Sequence, residues 1–247
     1  MADFETLGAG RVGARTLQID EGLRAHMNKV YGLMSVAMII TGLVAWAVGS
    51  NEALLSVFRD PVTMRPNVLG WIAMFAPLGV VFLFGATLHR MTAATAQLVF
   101  YVYAALMGLS LSYIFAVYTG QSITQAFLVS AIAFAGLSLY GYTTKRDLSA
   151  MGTFLMMGLI GLIVASLVNM FLQSGGVAFA ISVIGVLIFA GLTAFDTQNI
   201  KNTYLAHAQA GDADWLAKSA IMGALNLYLD FLNLFMFLLQ FFGSQRE

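Results

Sequence analysis

Five stretches of this chain are almost free of Asp, Glu, Lys and Arg, and each is at least as long as a bilayer core is thick. They are Val30 to Asn51, Pro66 to Leu88, Met91 to Thr144, Leu148 to Phe195, and Ser219 to Gln245, the last broken only by Asp230. A helix needs about 20 apolar residues to cross the hydrocarbon. The third and fourth stretches hold two crossings each, divided by turn-like breaks at Thr119 to Thr124 and Gln173 to Gly176. The pattern predicts helices over 30–49, 68–88, 97–118, 124–142, 149–172, 177–196 and 219–242, an all-α membrane protein of seven transmembrane helices. With 60% of its 247 residues hydrophobic and 10% charged, no soluble fold could hide this surface.

Residues 30–243 read as one transmembrane domain, and residues 1–29 as a cytoplasmic arm of mixed charge that turns helical near Leu17 to Lys29. Asn51 to Pro66 reads as an outside loop marked by Pro61 and Pro66. Short loops rich in Lys and Arg stay cytoplasmic. Nine of the 12 basic residues fall on one side, namely Arg11, Arg15, Arg24, Lys29, Arg90, Lys145, Arg146, Lys201 and Lys218. Arg59, Arg65 and Arg246 fall on the other. The N-terminus is therefore expected inside and the C-terminus outside. The acids Asp3, Glu5, Asp20 and Glu21 precede the first apolar run, which argues against a cleaved signal peptide. A formal charge of zero gives no reason to expect a nucleic-acid partner, and the absence of cysteine excludes disulfides, thiolate metal sites and Cys nucleophiles. The pairs Gly108 with Ser112 and Gly161 with Ala165 set small residues four apart, a spacing that lets helix backbones approach.

Asp230 is the most informative residue. It lies about eleven residues from either end of the last span, where a carboxylate costs several kcal/mol unless paired, hydrated or protonated. Ser219, Gly223, Asn226, Asp230, Asn233 and Gln240 recur at spacings of three, four or seven, which makes a polar seam along one helix face. A second acid, Asp196, sits near the inner end of the sixth span with Thr193 and Asn199 on its face, in a helix expected to run on to Lys201 or beyond. Consecutive antiparallel helices can bring Asp196 and Asp230 together. Such carboxylates share a proton and titrate as one pair, a natural pH sensor. Arg90, beside His89, is the nearest inside-face cation that could bridge them. Calcium prefers oxygen ligands, so Asp196, Asp230, Asn226 and Asn233 suit transient calcium passage, with no cofactor required.

The segments around these residues are GLTAFDTQNIK (191–201), ALNLYLDFLNLF (224–235), YGYTTKRDLS (140–149) and YVYAALMGLS (101–110). In them the chain resembles the Bax inhibitor family, also called transmembrane Bax inhibitor motif proteins, in its bacterial branch. The resemblance implies a seventh helix in the centre ringed by the other six, in a bacterial inner membrane. It also implies a pH-sensitive calcium leak in which Asp196 and Asp230 form the sensor and Arg90 locks the closed state. One departure stands out: some relatives carry an acid in the second span, where this chain has Gly79. Two other functions compete. A regulatory scaffold would bind other membrane proteins, such as a membrane protease or an apoptosis regulator. An intramembrane aspartyl protease would also use two aspartates, but Leu227-Tyr228-Leu229-Asp230 departs from the Gly-x-Gly-Asp setting and the Pro-Ala-Leu element is missing, so no enzyme is expected.

Overall fold

A computed structural model describes residues 2–60, 63, 65–207 and 212–244, with side chains described from residue 19 onward. Pro61 and Arg246 fall outside the described residues, and the side chains of Arg11 and Arg15 are not among those described. The elements are α1 (Ala2–Gly49), α2 (Glu52–Phe58), α3 (Val68–Thr87), a 3-10 turn (Leu88–Arg90), α4 (Ala93–Leu111), α5 (Ile114–Val117), α6 (Gly120–Thr143), α7 (Ser149–Leu172), α8 (Gly175–His207) and α9 (Ala213–Phe242). Among the described residues, seven segments are long and apolar enough to cross a membrane: Ile19–Gly49, Val68–Arg90, Ala93–Val117, Gly120–Thr143, Ser149–Leu172, Gly175–His207 and Ala213–Phe242.

Side chains that satisfy free backbone groups set the helix ends. Asn67, Thr92, Thr119 and Asp212 accept N–H bonds at the starts of α3, α4, α6 and α9. Gln173, at φ 50°, ends α7 in the left-handed region two residues before α8 begins at Gly175. Outside the spans, Asp147 accepts the Ser149 N–H at 2.9 Å. Side-chain and backbone hydrogen bonds from Ser149 hold its carboxyl below the usual range.

Three details go beyond the sequence reading. α1 runs unbroken from Ala2 to Gly49, and Leu23, His26 and Met27 within it are buried. The third span bends at Ser112, whose N–H and hydroxyl both turn back to the Leu109 carbonyl, so α4 stops at Leu111 and α5 resumes at Ile114. Of the small-residue pairs, Gly108 does bring α4 against the Thr41 backbone and Val44 of α1, while Gly161 faces open space.

The last span is the most buried, at 67% of its apolar window against 44% for the sixth and 11% for the fifth. It packs on α8, α1, α6 and α4, while α3 leans on α4 and α7 on α8. Tyr228 is its fully buried midpoint. The Tyr228 hydroxyl shares a 2.7 Å hydrogen bond with Thr41, which donates to the Ala104 carbonyl at 2.9 Å. Edge-on rings of Phe100 and Tyr103 complete the packing around Tyr228.

Candidate functional site

The acid-bearing turn of α8 is held by its polar neighbours. Gln198 accepts the Leu148 N–H and donates to the Arg146 carbonyl, both at 2.8 Å, which clamps the turn between α6 and α7. Lys201 donates to the Tyr142 carbonyl at 2.7 Å and lies over the Tyr142 ring. Thr193 donates to Phe189 O, and Thr197 donates to Thr193 O, both at 2.8 Å. These bonds face α6 and the core, and they leave Asp196 on the side turned toward α9.

There Asp196 and Asp230 face the same cleft. Asp230 is only 4% exposed, and its Oδ2 is buried without a hydrogen-bond donor. Two ionised carboxyls have no donor to offer each other.

The pair lies at the end of a cleft of about 850 Å³ between α7 and α9, floored by α8. The two walls pack on α8 but not closely on each other, which leaves the cleft open along its side. Leu159, Ile163, Leu167, Phe189 and Phe237 make it mostly apolar, and Ser166, Asn226 and Asn233 join the acids as its polar groups. A second cavity, of about 370 Å³, lies at the Lys-rich end of the bundle. His89, Asn199, Thr203, Lys218, Ser219 and Gly223 line it. Asn226 lines both cavities.

The sequence-selected residues therefore divide. Asp196, Asp230, Asn226 and Asn233 meet around the cleft, and Asn199 lines the second cavity. Thr193 does not join them: it is fully buried and spends its hydroxyl on its own helix. Gln240 lies outside both cavities. Arg90 does not reach the acids either. It sits exposed on the 3-10 turn, and it lines neither cavity. The turn redirects the chain between α3 and α4 and leaves Arg90 outside, while its neighbour His89 faces the second cavity. Ser166 and Gln198 were missed. Ser166 is one hydroxyl in a long apolar run, and the Gln198 clamp needs the fold of the 144–148 loop to become visible.

The family model for the inhibitor of apoptosis-promoting Bax1 matches residues 23–247. Protein RP147 of Rickettsia prowazekii is 47% identical over 92% of this chain and 93% of its own length. The inner membrane protein YbhL of Escherichia coli is 44% identical, over 91% of this chain and 94% of its own. The membrane protein SpyM3_0260 of Streptococcus pyogenes is 39% identical, over 92% and 95%.

Proposed function

This chain belongs to the Bax inhibitor family of membrane proteins, and we propose that it serves its membrane as a pH-sensitive leak for calcium and other small cations. The observation that supports this reading most is Asn226, which separates a cavity at the basic end of the bundle from the cleft that holds the acid pair. A cation entering from either side meets oxygen ligands at that partition. Two carboxylates and the Asn226 and Asn233 carbonyls supply at most six oxygens, the lower limit of the six to eight calcium takes, so with either carboxylate monodentate water completes the shell and the ion passes rather than stays.

The acid pair is the gate. With one proton between its carboxyls it is compact and joins α8 to α9. Loss of that proton leaves two negative charges in contact, and their repulsion drives the helices apart at this level. A difference of a few kcal/mol between the two arrangements keeps the open one a minor population that pH adjusts. This reading assigns Arg90 no lock, in contrast to what the resemblance implies, because Arg90 is exposed and lines neither cavity.

The test is calcium influx into dye-loaded proteoliposomes over a pH series. The account expects a leak that grows as pH rises. Absence of leak at every pH would remove the channel reading and favour a scaffold that binds other membrane proteins.

A further inference from the structure

The cleft between α7 and α9 has the character of a small-molecule site as well as of an ion path. Such sites are concave, about 300–1,000 Å³, largely apolar, and carry a few converging polar groups. Its volume of about 850 Å³ lies in that range. The α7 wall is lipid-accessible, with Met156, Ile163, Leu167 and Met170 each at least half exposed. An apolar occupant can therefore enter sideways from the bilayer.

The polar end selects what that occupant is. Ser166 gives its proton to Leu162 O, and Asn233 gives an Nδ2 proton to Leu229 O, so both offer acceptor capacity to the cleft. Asp230 Oδ2 is a buried acceptor with no donor. Among the described residues no Lys, Arg or His lines the cleft. Acceptors and negative charge dominate, the free donors are the neutral amides of Asn226 and Asn233, and positive charge is missing.

We infer that this cleft binds a single-chain cationic amphiphile, an alkylamine whose ammonium group docks on Asp230 and Asp196 while its chain lies along α7. An ammonium brings three donors and one positive charge, which matches the deficit, and charge-assisted bonds of this kind are the strong ones. A fatty acid would set a third carboxylate against the pair. An alcohol would bring one donor and no charge. The inference shares the acid pair with the proposed leak but depends only on the cleft.

The experiment uses the full chain in phosphatidylcholine nanodiscs and a dodecylamine carrying a photoreactive diazirine on its tail, with labelled residues mapped by mass spectrometry. Labelling is expected to concentrate on the cleft wall, at Ile163 and Leu167. Excess dodecylamine should displace it, and dodecanol and dodecanoic acid should not. Asp230→Asn should lower cleft labelling on the order of tenfold, the scale of one charge-assisted bond. Ile163→Trp, which fills the cleft and leaves both acids in place, should lower it as well. Labelling spread evenly over lipid-facing positions such as Phe82 and Leu83, or displaced equally by dodecanoic acid, would overturn the inference. Calcium flux is read separately: loss of flux with cleft labelling intact removes the leak alone, and loss of labelling with flux intact removes this site alone.

Discussion

Thr197, one residue beyond Asp196, shares a 2.9 Å hydrogen bond with Ser138 of α6. Because Thr197 gives its own proton to Thr193 O, Ser138 must donate to Thr197, and Tyr31 of α1 must donate to Ser138 at 2.6 Å. The relay ties three helices together at the level of the acids. Ser138→Ala removes its middle, which takes the acceptor from the half-buried Tyr31 hydroxyl and the donor from buried Thr197, at a cost of about 1–3 kcal/mol. Tyr31→Phe removes only the outer donor and should cost about 0.5–1.5 kcal/mol. Unfolding titrations in mixed micelles measure both, and equal losses would contradict the assigned donor order.

Gly141 lies against the backbone of Ala194, where a Cβ would meet the carbonyl oxygen itself. A side chain can rotate away and a helix backbone cannot. Gly141→Ala should therefore destabilise the protein by about 1–3 kcal/mol through overpacking. Gly161→Ala, which meets nothing within 4 Å, should leave the melting temperature unchanged. A large loss in both would argue that glycine flexibility, rather than close approach, explains Gly141.

The seven spans were legible because hydrocarbon imposes a length and a composition on every crossing. Asp196 and Asp230 were legible because charge in a span is costly and therefore conspicuous. What stayed hidden depended on rotation and on partners. Thr193 shares a spacing with Asp196 yet turns to the core, because its hydroxyl finds Phe189 O. The inner extension of α8, by contrast, was expected to reach Lys201 or beyond and runs to His207, with Lys201 donating to Tyr142 O. The bend at Ser112 has no Pro or Gly at that position to announce it. The place of Arg90 depends on how the 3-10 turn leaves α3, which periodicity does not encode.

We propose the orientation that the basic loop residues imply, with the N-terminus inside and the C-terminus outside. A phosphatase fused after residue 247 should be active only outside the cytoplasm, and cysteines introduced at Asn202 should react only with reagents that reach the cytoplasm. A C-terminal fusion active inside would contradict seven crossings.

Asn226 is the partition between the two cavities, so its side chain should limit flux more than any residue outside them. Asn226→Leu replaces an oxygen ligand with hydrocarbon and should lower calcium leak on the order of tenfold, the equivalent of one lost polar contact. Arg90→Ala, at an exposed position away from the acids, should change it less than about twofold, under 0.5 kcal/mol. A larger increase on removing Arg90 would restore it as a lock.

The central claim is that Asp196 and Asp230 sense pH as one unit. Calcium influx into proteoliposomes at several pH values, compared among wild type, Asp196→Asn and Asp230→Asn, tests it most directly. An amide in place of either acid leaves a neutral partner that cannot repel the remaining carboxylate, so each variant should lose the rise with pH that wild type shows. If both variants keep the wild-type pH profile, the pair is structural and the gating mechanism is wrong.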